Sequence, residues 1–154
     1  GQYISIPHII NSEQLKAAIY DCLASYNRAN ASQYRQDFQQ DDSAMAVLIQ
    51  KQIRGQFSGV AFSRDPVNPW HNGVIIEALP GQASAVVSGH HTPERYQVEL
   101  GETINIKSLQ EQNTEIPAFI LEKVAQVARE IETLYQGMPQ DIEWSYDGEQ
   151  LWLL

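Results

Sequence analysis

Cysteine is nearly missing from this sequence: Cys22 is the single one among 154 residues. One thiol excludes an internal disulfide and a zinc cage built from cysteines. Cys22 falls on the apolar stripe of a helical pattern, the position of a buried, inert thiol rather than a nucleophile. Positive charge is also scarce. Nineteen acids stand against ten Lys and Arg, a formal charge of -9. Such a surface repels nucleic-acid phosphates, and no local basic patch offsets it, so a nucleic-acid partner is excluded. No stretch approaches the roughly 18 apolar residues of a membrane span, and no signal peptide is visible. A cytoplasmic location is the expectation. There is no initiator methionine, and the last residues, Leu151-Trp152-Leu153-Leu154, end inside an apolar run without a turn or cap. The chain therefore reads as a piece of something longer.

What is present suits an ordinary globular domain. The composition is 43% hydrophobic and 19% charged, and the length has room for one domain with its own core. Asn11-Ser12 supply helix caps, with Gln14 three residues after Asn11 in a capping-box position. Leu15, Ala18, Ile19, Cys22, Leu23 and Tyr26 then recur at helical spacing. Arg28 to Gln36 predicts a short second helix, and Gln39 to Ser43 a loop.

The pattern then changes to strands. Ala44 to Gln50 reads as a buried strand, Ser58 to Ser63 as a second, Gly73 to Ala78 as a third and Ala85 to Ser88 as a fourth. Arg95 to Leu100 and Thr103 to Lys107 flank a hairpin turn at Gly101-Glu102. A long helix follows from Ile116 to Tyr135, with Pro117 in its first turn and Gly137 as its stop. Its expected stripe is Ile120, Val124, Val127, Ile131 and Leu134. The last element is a hairpin, Asp141 to Tyr146 and Glu149 to Leu154, joined by Asp147-Gly148 as a two-residue turn that sets Glu143 opposite Trp152. Short strands with tight turns indicate an antiparallel or mixed sheet. The fold class is α+β, with helices packed on a mostly antiparallel sheet.

Two constellations bear on chemistry. Period-2 alternation along Asp141-Ile142-Glu143-Trp144 places both carboxylates on one face and the apolar pair on the other. Carboxylates one strand-repeat apart ligate a hard cation such as magnesium, which takes oxygen ligands and accompanies nucleotide phosphates. The bland alternative is a pair of solvated acids beside a turn, and it also covers the other late acids. Ile49-Gln50-Lys51-Gln52-Ile53 ends an apolar stretch in polar residues, as an adenine-binding hinge does and as many ordinary strands do. The histidines, His8, His71, His90 and His91, are scattered over loops and form no shared metal site. A metal-dependent hydrolase built on Asp141 and Glu143 has no evident base or nucleophile.

The succession Met45-Ala46-Val47-Leu48-Ile49-Gln50, Ser58-Gly59-Val60-Ala61-Phe62-Ser63-Arg64-Asp65-Pro66, Val86-Val87-Ser88-Gly89 with Thr92-Pro93, and Pro139-Gln140-Asp141-Ile142-Glu143-Trp144 resembles one family. It is the nucleotide-binding domain of phosphoenolpyruvate synthase and pyruvate phosphate dikinase, shared by rifampicin phosphotransferases and glucan water dikinases. The resemblance runs over the whole chain in order. It implies part of an ATP-grasp domain over residues 1–154, with ATP as substrate and Mg2+ as cofactor. It also implies an upstream ATP-grasp lobe, and a phosphohistidine-carrier domain that takes the phosphoryl group. None of the four histidines matches that carrier.

Carried over by motif, Gly1 and Ser5 stand at the phosphates, Gln50, Lys51 and Ile53 at the adenine, and Asp141 and Glu143 at the metal, with Glu143 also facing the nucleotide. The family's Gly-Leu-Gly-Glu is here Gly81-Gln82-Ala83-Ser84, losing a glycine and an acid. Its phosphate-binding Lys and Arg belong upstream, and its Gln-x-Arg would follow Leu154. A degenerate module without turnover is therefore the alternative to an active phosphotransferase domain.

Overall fold

The computed structural model describes residues 3–27, 29–37, 44–68, 70–81, 92–109 and 116–154. The expected loop at Gln39–Ser43, the expected strand at Ala85–Ser88, and Gly1, His90 and His91 lie outside them. The chain forms two compact units, Gly1–Gln52 and Ile53–Leu154.

The first unit is helical. Helix α1, Ser12–Ala24, starts where Asn11 predicts: its Oδ1 accepts from the Gln14 backbone N–H at 2.8 Å. The Gln14 side chain reaches back one residue further than a capping box requires, accepting from the Ile10 N–H at 3.0 Å. A 3-10 turn, Ser25–Asn27, leads to α2, Ala29–Asp37. Tyr3 stacks on Tyr26, and the Arg35 guanidinium lies 3.7 Å from the Tyr26 ring centre, a cation–π contact.

Two expectations fail in this unit. Of the α1 stripe only Ala18 is buried, while Leu15, Ile19 and Cys22 are half-buried and Leu23 is exposed. The Cys22 thiol is accordingly not sealed, and it points to the Ile4 carbonyl at 3.5 Å. Ala44–Gln50 forms no strand among the described residues, and Leu48 is 83% exposed. An apolar run supplies strand propensity, but a strand exists only where its N–H and C=O groups find a partner.

The second unit is a six-stranded antiparallel sheet with a helix against one face. The strands are β1 (Phe57–Phe62), β2 (Val74–Pro80), β3 (Glu94–Glu99), β4 (Asn105–Ser108), β5 (Asp141–Tyr146) and β6 (Leu151–Leu153), in the order β4-β3-β2-β1-β5-β6. Every pairing is antiparallel, and the β3–β4 and β5–β6 connections are the short turns that such pairing permits. Helix α3, Ala118–Leu134, covers one face. The core between them includes Ala61, Ile76, Val98, Val124, Ile142 and Trp144.

Helix α3 begins after Pro117 and ends in a Schellman closure: Gly137 donates to the Glu132 carbonyl at 2.8 Å and Gln136 to Thr133 at 3.1 Å. The left-handed residues there are Gln136 at φ 59 and Gly137 at φ 81. The buried stripe differs from the one expected. Ile120, Leu121, Val124, Ala125, Ala128 and Glu132 are buried, and Leu134 is 79% exposed. The buried arc centres between Ile120 and Leu121, so two alanines and an acid fall inside it and Leu134 falls outside.

The last hairpin is shifted. Trp144 pairs with Leu153, Ser145 with Trp152 and Tyr146 with Leu151. Asp147 donates its backbone N–H to the Gln150 carbonyl at 3.2 Å, so the turn centres on Gly148-Glu149, one residue later than expected. The Asp147 carboxylate causes the shift: Oδ1 accepts from the N–H groups of Glu149 and Gln150, and Oδ2 from the Trp152 indole. An aspartate that caps its own turn belongs before the central pair, with Gly148 taking the positive φ of 106. Glu143 consequently lies opposite Leu154, whose N–H donates to its carbonyl at 3.0 Å, and not opposite Trp152.

Candidate functional site

The sheet has a second face, opposite α3, and alternation along each strand decides what it carries. On β5 it presents Asp141, Glu143 and Ser145, while Ile142 and Trp144 enter the core. Cross-strand register extends this face in rows: Glu143 opposes Val60, Val60 opposes Glu77, and Glu77 opposes Arg95. A parallel row runs from Asp141 through Phe62 and Ile75 to Gln97.

Asp141 and Glu143 are both exposed and share this face, as expected from their spacing. Neither takes part in a salt bridge among the described residues. No group of three or more His, Cys, Asp or Glu positioned for a metal occurs among the described residues. Two exposed carboxylates therefore fit magnesium as a partial ligand set, with the remaining oxygens coming from water or phosphate. They do not amount to a protein-only cage.

Beside Glu143, the face carries a feature invisible in the sequence. Ser58 and Ser145 are fully buried with their hydroxyls 2.9 Å apart, and Ser58 donates to the Gly81 carbonyl at 2.7 Å. Segment 53–56 runs over them. A Cβ at Gly55 would collide with the Ser145 hydroxyl, and Gln56 bridges Tyr146 and Gly81 through backbone hydrogen bonds of 2.7 Å. Ile53, half-buried, thus enters this unit two residues before a chain segment pinned to β5.

The remaining candidates sit in the first unit. Ser5, Gln50 and Lys51 are exposed. The Gln52 side chain ties the two stretches that carry them. Its Oε1 accepts from the His8 N–H at 2.7 Å, and its Nε2 meets His8 Nδ1 at 3.3 Å. His8 is held at φ 62, a left-handed conformation costly for a residue with a side chain.

At another edge of the second unit, a recess of about 360 Å³ is lined by His71, Asn72, Glu99, Leu100, Gly101 and Thr103. His71 Nδ1 accepts from the Gly73 N–H at 3.1 Å, and Nε2 stands 3.4 Å from Glu99 Oε1. These contacts tie the loop that carries His71 to the end of β3.

Two buried acids escaped the sequence. Glu132 receives Arg64 at 2.7 Å and Arg129 at 3.3 Å. Burial pushes its carboxyl up, but hydrogen bonds from Arg64 and Ser63 and the charge of Arg129 prevail and hold it below the usual carboxylate range. Both guanidinium groups also donate to Asn72 Oδ1 at 2.7 Å. Burial and the neighbouring Arg64 lower Arg129 in turn, while Glu132 opposes that shift. Glu94, on the core face of β3, accepts a hydrogen bond from the Tyr96 hydroxyl. Burial, that bond and the Glu94 charge push the Tyr96 phenol up.

The family described as Pyruvate phosphate dikinase, AMP/ATP-binding domain, matches residues 1–118. The chain belongs to that family. Curated relatives align over all or nearly all of its length. A protein named Probable phosphoenolpyruvate synthase from Archaeoglobus fulgidus is 27% identical over 179 residues, covering 100% of this chain and 24% of its own. An Uncharacterized phosphotransferase YvkC from Bacillus subtilis is 30% identical, with 100% of this chain and 21% of its own length covered. A Rifampicin phosphotransferase from Bacillus cereus is 26% identical, with 100% and 20% covered. The chain spans about a quarter or less of the curated relatives it matches. Among the described residues no helix is long and apolar enough to cross a membrane.

Proposed function

We propose that this chain is the ATP-binding portion of a phosphotransferase of the phosphoenolpyruvate synthase type, acting as one part of an ATP-grasp domain. The observation that carries the reading is the placement of Asp141 and Glu143, side by side on the sheet face opposite α3 and outside any salt bridge among the described residues, in a chain of the dikinase nucleotide-binding family. Asp141 and Glu143 would hold magnesium, which supplies charge neutralisation at the phosphates. Ser5 and Gly1 contact the phosphates, Gln50 is the polar hinge residue at the adenine, and Lys51 and Ile53 offer it backbone contacts. The ordered Ser58–Ser145 pair keeps segment 53–56 against β5 and so fixes Ile53 relative to Glu143.

In this reading the cations for the triphosphate come from further chain, an upstream lobe and a Gln-x-Arg after Leu154, and the phosphoryl group passes to a histidine on another domain. Relatives four to five times longer are in keeping with that division of labour. Phosphoryl transfer depends on positioning and charge stabilisation, so this chain alone holds nucleotide weakly and turns none over. Isothermal titration with magnesium-ATP of this chain and of the longer protein tests it. Much tighter binding by the longer protein is expected, and equal affinity overturns the role given to the missing cations.

A second reading has its own support. Gly81-Gln82-Ala83-Ser84 stands where the family pattern has Gly-Leu-Gly-Glu, removing an acid from the nucleotide side. Gly81 itself has a positive φ of 100, a conformation that favours glycine. Nucleotide binding without turnover in the longer protein would establish a degenerate module.

A further inference from the structure

Arg95 occupies an unusual position on the face opposite α3. It stands directly across from Glu77 in the β2–β3 register, the geometry in which opposite charges close an ion pair. The pair does not close: Arg95 Nε is 3.9 Å from the nearest Glu77 oxygen, beyond hydrogen-bonding distance. That Nε is buried and has no hydrogen-bond partner among the described residues. A buried charged donor without an acceptor is unfavourable, and an anion arriving on this face relieves it. The row in register then reads Arg95, Glu77, Val60, Glu143.

From this we infer that Arg95 is a phosphate contact contributed by this sheet itself, with Glu77 as its weak neighbour at 3.9 Å. The inference rests on the nucleotide reading above and adds a specificity residue to it. Four acids, Glu77, Glu99, Asp141 and Glu143, share this face with Arg95 and the edge residue Lys107. A polyphosphate therefore finds one partly shielded guanidinium amid carboxylates. The planar fork of that group matches phosphate oxygens in a way an ammonium does not. Strand spacing sets the Arg95 and Glu143 backbones about 14 Å apart, three strand steps. The two side chains address opposite ends of a ligand across that span, Glu143 through its carboxylate and Arg95 through its fork. Glu77 between them gives up a weak contact when the ligand binds.

The test is titration of the full-length protein with magnesium-ATP and, separately, with adenosine, which lacks phosphate. Arg95→Met is expected to weaken ATP about tenfold or more, the loss of one charge-assisted contact, and to leave adenosine unchanged. Arg95→Lys is expected to restore part of the ATP affinity, and Glu77→Gln to leave it unchanged or raise it by freeing the guanidinium. Equal ATP affinity in Arg95→Met overturns the inference while the nucleotide reading stands. So does a parallel loss of adenosine binding and thermal midpoint, which makes Arg95 a structural residue. If the unmodified protein binds neither ligand, the nucleotide reading falls and this inference with it.

Discussion

Arg64, just past β1, and Glu132, on α3, are 68 residues apart in sequence and meet through two nitrogens, the closest contact at 2.7 Å. Glu132 is only 4% exposed, so its charge is sustained by Arg64 and Arg129 together. Glu132→Ala strands two guanidinium groups at the helix–sheet junction. A loss of about 3 kcal/mol is expected, the low end for a broken buried pair because Arg64 is one-third exposed. Chemical denaturation measures it, and a change under about 0.5 kcal/mol, the surface-substitution range, would reduce the cluster to a surface ornament.

Trp144 and Glu143 are chain neighbours with opposite fates. Trp144 is fully buried and Glu143 is exposed. Trp144→Ala empties the centre of the core and is expected to cost about 3–5 kcal/mol. Glu143→Gln preserves shape at a solvated position and is expected to shift stability by less than about 0.5 kcal/mol. Thermal midpoints of the two variants settle the strand facing, and similar losses in both would contradict it.

Gly59 lies on β1 opposite Ala78 of β2. A Cβ there would run into the Glu77 carbonyl oxygen, a backbone atom that cannot turn aside. Gly59→Ala is therefore expected to destabilise by about 1–3 kcal/mol, as overpacking does, despite replacing the residue with a better strand former. A neutral result in denaturant titration would place the two strands further apart than the register states.

Asp147 supplies the pH dependence of the terminal hairpin. Hydrogen bonds from the Gln150 backbone, the Trp152 indole and the Glu149 backbone hold its carboxyl down to about 2. A depressed folded pKa means the stabilisation is complete above the ordinary aspartate range, near pH 4, and is lost as pH falls toward 2. The Trp152 indole proton is expected to lose exchange protection across that window. In Asp147→Asn the same window is expected to be flat, and a wild-type-like transition in that variant would assign the effect to another group.

The local signals in the sequence were those that a residue satisfies by itself or with near neighbours. Asn11 caps its own helix, Pro117 opens one and Gly137 closes one, and each sits where its chemistry places it. Alternation along Asp141–Trp144 also suffices, because facing is a property of one strand. What depended on distant partners was not legible. Ala44–Gln50 has strand composition but forms no ladder among the described residues. Glu132 lies in the buried arc because two arginines meet it there, and residue type alone assigned that arc to Leu134. The hairpin register moved because the Asp147 side chain caps its turn. Arg95 and Glu77 became candidates only once register placed them in one row with Glu143.

The central claim is that the face bearing Asp141 and Glu143 holds magnesium-ATP. The most direct measurement is isothermal titration of magnesium-ATP into the full-length protein and its Glu143→Gln variant, with thermal midpoints recorded alongside. The account predicts unchanged folding and an affinity reduced about tenfold or more, since a metal-oxygen ligand and its charge are lost together. Unchanged affinity in a normally folded Glu143→Gln protein would contradict it and leave Asp141 and Glu143 as solvated acids beside a turn.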